Sequence, residues 1–266
     1  MALTLGDPIG LGELASGAHV NGLGIRIYGL GAVVLGFVGL AFGDFALQWQ
    51  AVPKSLPHHQ AWAYASGAVM LLAGAALFSR RAVAWGAAIL TLNFAVWVGL
   101  HVPLVIAKPG NFAAWLGLFE PLAITAGGLI AFARTGRLDG KLAKALSQAG
   151  RLTFGVCLLV FALSHVLYLG FTAAMVPKWI PPSQTFWAWA TAAGHLAAGL
   201  ALLSGVLART AAWLATLMFA SFVIVLHVPL VAAAPHSHLN WCMLAVTLAI
   251  TGAAWIVAET SPAGRR

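Results

Sequence analysis

Apolar runs long enough to cross a bilayer alternate with short polar breaks along the whole chain. The runs cover residues 24–49, 61–78, 82–107, 112–133, 152–176, 184–207, 210–234 and 239–258, and predict eight helices. A span needs about 20 predominantly apolar residues, because an α-helix rises only about 1.5 Å per residue. The breaks carry turn chemistry: Pro53 to Pro57, Ser79-Arg80-Arg81, Lys108-Pro109-Gly110 and the Pro-rich stretch 177–183. One polar stretch is longer. Residues 134–151 contain Arg134, Arg137, Lys141, Lys144 and Arg151, and read as a basic cytoplasmic linker between two halves, 24–133 and 152–259. Residues 1–23 are Gly-rich and lack the order of a cleaved signal peptide, so they are expected to form a cytoplasmic tail, with 260–266 as its C-terminal counterpart.

Composition turns this pattern into a class. Hydrophobic residues make up 61% of the chain and charged residues 8%, and the mean hydropathy is +0.93. Soluble domains carry about 25% charged residues, so this chain cannot cover a soluble surface. The expected fold class is an all-α integral membrane protein with the lipid bilayer as its first partner. The net charge of +8 does not indicate nucleic acid. One side collects Arg26, Arg80, Arg81, Arg134, Arg137, Lys141, Lys144, Arg151, Arg209, Arg265 and Arg266, and the other holds only Lys54, Lys108 and Lys178. The positive-inside rule then puts both termini in the cytoplasm. Cys157 and Cys242 fall near opposite faces, so no disulfide is expected between them.

The halves repeat each other. Leu100-His101-Val102-Pro103-Leu104-Val105 recurs as Leu226-His227-Val228-Pro229-Leu230-Val231, 126 positions later. Val52-Pro53-Lys54-Ser55-Leu56-Pro57 matches Val176-Pro177-Lys178-Trp179-Ile180-Pro181, and Arg81 and Trp85 match Arg209 and Trp213. Each half has an even number of spans, so both insert with the same orientation, a parallel repeat. The expected architecture is two four-helix bundles, closely packed through small residues such as Gly67, Gly74, Gly127 and Gly199.

The order of a Val-Pro-Lys-x-(Leu/Ile)-Pro loop, an aromatic Gly-containing helix, Arg-x-x-x-Trp and His-x-Pro resembles the DoxX-like family of small four-helix bacterial membrane proteins, here as a tandem pair. The second half fits better, with His165, Trp187, Trp189 and Gly194-His195, whereas Met70-Leu71 stands where the first half would carry the last pair. The family's namesake is similar to a membrane subunit of a thiosulfate:quinone oxidoreductase. The resemblance therefore implies quinone or redox surroundings, and possible partners in a membrane electron-transfer complex.

Ionisable residues inside spans usually face a bundle interior and often mark function. Here they are His101, Glu120, His165, His195 and His227, with Asp44 near an interface. Three readings compete for the histidines. They could hold a lipophilic ligand, quinone-like or isoprenoid, against a wall of Trp187 and Trp189. They could ligate haem or a metal, although each stands alone on its helix and no metal-binding motif occurs. They could simply hydrogen-bond neighbouring helices. For His101 and His227 the last reading has a specific cause: Pro103 and Pro229 free carbonyls around Gly99 and Val225 that an imidazole could satisfy. Glu120 could carry a proton, pair with His101, or bond a backbone carbonyl near Pro121.

Overall fold

The computed structural model describes residues 22–262. The expected tails at 1–23 and 260–266 therefore lie almost wholly outside the described residues. The helices are α1 (Leu23–Phe42), α2 (His59–Ala76), α3 (Val83–Ala107), α4 (Phe112–Thr135), α5 (Gly140–Leu167), α6 (Leu169–Met175), α7 (Gln184–Ser204), α8 (Ala208–Ala233) and α9 (His238–Thr260). Seven of them, all but α2 and the short α6, are long and apolar enough to cross a membrane. The second expected span, 61–78, falls on α2, an 18-residue helix whose first turn, His59-Gln60, is polar and which does not reach that measure. Residues such as Phe37, Leu72, Trp85, Leu92 and Ile106 are well exposed on the outside of the bundle, as a surface solvated by lipid requires.

Local chemistry sets most boundaries. Side chains of Asn111, Asp139, Ser183 and Ser237 cap the N-termini of α4, α5, α7 and α9 by accepting from free backbone N–H groups. Gly43, in the left-handed region at φ 61°, ends α1 earlier than the apolar run suggested. Asp44, Gln48 and Trp49 therefore do not extend the first span. The chain turns back, and a single 3₁₀ turn at Leu47–Trp49 buries Trp49 in the bundle. The basic stretch 134–151 is not an extended linker either: from Gly140 onward it is the first part of α5. Lys and Arg are good helix formers, and the Asp139 cap starts the helix well before the apolar run does.

Packing departs from two separate bundles. Consecutive long helices touch all the way along the chain, and α9 then lies along α1, closing a ring whose middle is filled by contact between α4 and α9. The first helix of each half packs on the last helix of the other half, α1 on α9 and α5 on α4, rather than closing its own bundle. Close backbone approach explains the choice. A Cβ on Gly252 of α9 would sit 2.2 Å from the Tyr28 nitrogen of α1, and one on Gly127 of α4 would sit 2.3 Å from Ala253 Cβ of α9. In lipid, helices associate by such fits rather than by hydrophobic sorting.

One ion pair fixes three helix ends at the basic side. Arg134 Nη1 of α4 donates to Glu259 Oε2 of α9 at 2.5 Å, and the Gly24 nitrogen of α1 donates to Glu259 Oε1 at 3.4 Å. The pair is partly buried. Glu259→Gln should cost about 1–2 kcal/mol, between the ranges of exposed and buried pairs, and lower the thermal midpoint of the detergent-solubilised protein. An unchanged midpoint would mean that the three ends are held by packing alone.

Candidate functional site

A cavity of about 500 Å³ opens between α4, α5, α6, α7, α8 and α9. The 3₁₀ turn of the first half closes one side with Gln48 and Trp49. The volume falls in the range of small-molecule sites, about 300–1,000 Å³. Its lining is mainly apolar, with Phe161, Phe219, Phe222, Met175 and Met243, and polar groups are few and clustered.

Four of the predicted site residues meet there: Glu120 from α4, His165 from α5, His195 from α7 and His227 from α8. The rings of His165 and His195 stand 4.9 Å apart, centroid to centroid. Phe161, Phe219 and Phe222 surround His195 at centroid distances of 5.8, 5.2 and 6.3 Å. His195 is 1% exposed, and its Nδ1 has no hydrogen-bond partner among the described residues. The Nδ1 of buried His227 is likewise unpartnered, while its Nε2 lies 3.0 Å from Thr247 Oγ1. Glu120 accepts a hydrogen bond from the Trp49 indole. Burying a polar atom without a partner costs about 1–3 kcal/mol.

His101 is placed differently. Its ring nitrogens lie 2.9 Å from the Trp97 carbonyl oxygen and 2.7 Å from that of Gln48, so it fastens the 3₁₀ turn to α3 rather than reaching Gly99 or Glu120. It borders a separate recess of about 320 Å³. His101→Phe should remove both contacts and lower the thermal midpoint by the equivalent of about 1–3 kcal/mol; a midpoint at or above the original would contradict this structural role.

The two literal strings thus adopt different geometries. Around His101 the helix stays α through Pro103, whereas Val223–His227 form a π turn just before Pro229. π turns are rare and frequent at functional sites. The same string meets different neighbours, the Gln48 carbonyl in one case and Thr247 of α9 in the other.

Trp187 and Trp189 do not line the cavity. Both are exposed, and the Trp187 indole donates to the Pro181 carbonyl at 2.8 Å. At 3.6 residues per turn, the face shared with His195 carries Ala188, Thr191 and Ala192 instead. Helical phase could have shown this from the sequence. Phe161 could have been found the same way, four residues before His165 on α5. Trp49, Phe219 and Thr247 carried no such signal. Among the described residues no three His, Cys, Asp or Glu converge on one point as a metal site.

The fold and cavity define a multi-pass α-helical membrane protein with a small-molecule-sized site between its helices. Residues 146–228 match the DoxX family model, a stretch that includes His165, His195 and His227 but neither Glu120 nor His101. No curated protein and no solved structure matches the chain.

Proposed function

We propose that this is a DoxX-like protein of the bacterial inner membrane whose cavity holds a lipophilic ligand of quinone or isoprenoid type. The observation that carries the reading is the cluster of His165, His195 and His227 with Glu120 in a cavity whose lining is otherwise mainly apolar. A ligand with a small polar head and an apolar tail would satisfy both properties at once. On the same reading the halves are tandem repeats that have diverged. The first provides the Trp49 wall and the second the histidines. The positive side of the bundle, with both termini, faces the cytoplasm, and the cavity faces the outer leaflet. The protein serves as an accessory subunit beside a membrane electron-transfer partner.

Gentle purification from native membranes tests this. Mass spectrometry of the extracted lipid should find one prenylated species near stoichiometric amounts, and partners should co-purify. A protein stripped of such lipid whose melting does not respond to added quinones or isoprenoids would remove the proposal.

A further inference from the structure

The hydrogen bonds inside the cavity say which kind of head group fits. His165 Nδ1 lies 2.8 Å from the Phe161 carbonyl oxygen. A carbonyl oxygen only accepts, so Nδ1 carries the proton and donates. No carboxylate stands within ion-pair reach of His165 among the described residues. As a neutral imidazole it therefore presents Nε2 with a lone pair and no hydrogen. Two neighbouring hydroxyls are committed in the same way. Ser164 Oγ donates to the Phe161 carbonyl at 2.7 Å, and Thr191 Oγ1 donates to the Trp187 carbonyl at 2.8 Å. What these groups offer the cavity is acceptor capacity. His195 is the exception: it makes no hydrogen bond among the described residues, and a neutral ring always has one N–H to give.

From this we infer that the cavity selects a hydroxyl head group, a lipophilic phenol or alcohol, over a carbonyl or ether. One hydroxyl oxygen beside the edges of the His165 and His195 rings would donate to His165 Nε2 and accept from His195 Nε2–H, since His195 Nδ1 is buried. A carbonyl could take the second bond but would face the His165 lone pair with its own. The inference rests on the lipophilic-ligand reading above and narrows it, since it favours a benzoquinol over its benzoquinone and an isoprenoid alcohol over its ether. Sites built to hydrogen-bond a substrate hydroxyl reject analogues that lack it, because the protein group is then left unpaired.

The test uses the full chain in lipid nanodiscs and five probes: a decyl-substituted benzoquinol kept under anaerobic reductant, its dimethyl ether, the matching benzoquinone, farnesol and farnesyl methyl ether. Affinities come from equilibrium dialysis read by mass spectrometry. At least one hydroxyl probe should bind about tenfold tighter than its hydroxyl-free relatives, and the arm that shows this tells a phenol from an alcohol. His165→Phe should bring hydroxyl and ether within about twofold of each other, as expected where one such hydrogen bond is lost. If quinone or ether binds as tightly as the hydroxyl form, the head-group inference is overturned while the ligand reading stands. If no probe binds, the ligand reading falls and this inference with it. The probe series on the unaltered chain decides the matter even where the variant fails to fold.

Discussion

Gly252→Ala should lower the thermal midpoint sharply, and Gly252→Leu should leave almost no monodisperse protein after detergent extraction. The added Cβ would meet the Tyr28 nitrogen at 2.2 Å and its Cα at 2.4 Å. Both are backbone atoms of a helix whose Tyr28 side chain is fully buried, so neither can move aside. Overpacking a core costs about 1–3 kcal/mol, and a backbone clash between the first and last helices belongs at or above the upper end. Gly99 is the matched control. A Cβ there meets nothing within 4 Å. Since alanine is favoured over glycine in a helix by about 0.8–1 kcal/mol, Gly99→Ala should be neutral or slightly stabilising. Size-exclusion profiles and melting curves of the two variants, side by side, check the pair. Equal behaviour would mean that α1 and α9 are not in backbone contact.

The second large effect has the opposite sign. His195→Phe should raise the thermal midpoint and abolish ligand retention. The ring sits in a cage of Phe161, Phe219 and Phe222 and leaves Nδ1 buried without a partner. Replacing an unsatisfied buried polar side chain with an apolar one of similar shape removes a desolvation cost of about 1–3 kcal/mol. Binding sites are commonly less stable than they could be for this reason. His101→Phe, which removes the hydrogen bond the ring donates to one of two carbonyl oxygens beside it, should move the midpoint down. The contrast between two intramembrane histidines is the useful reading. If both substitutions destabilise alike, His195 is packing glue and the cavity loses its main support. The measurement is thermal unfolding of both variants with and without lipid extraction.

Much of this molecule was legible in the sequence. Seven of the eight expected spans reappear within a few residues, apart from the early end of α1 and from α5, which starts before and ends before its expected run, the rest of that run forming α6, because hydropathy over a membrane thickness is a strong signal. The pairing of helices was not legible. Which apolar helix lies beside which depends on where glycines of one meet backbone of another, as Gly252 meets Tyr28, and no local pattern encodes that match.

The site was legible in part. The scarcity of ionisable groups inside spans pointed to Glu120, His165, His195 and His227, which do converge. Trp187 and Trp189, expected as the apolar wall of a ligand site, are exposed and lie outside the cavity lining, because aromatic character was weighed above helical phase. The repeated histidine string was the clearest pattern in the chain and the least informative about chemistry. Its two copies differ in helical geometry and in hydrogen-bond partners, because those follow from the neighbours each copy meets. Trp49 was hidden for another reason: an apolar run continuing past Gly43 looks like helix, and only the left-handed turn there sends the chain back into the bundle.

The most direct test of the central claim, that the cavity holds a lipophilic ligand against His195, is lipid mass spectrometry on natively purified protein, unaltered and His195→Phe in parallel. A prenylated lipid near one per chain in the unaltered protein, absent from a variant that is folded and melts higher, is the predicted result. The same lipid content in both proteins, or none in either, would contradict it.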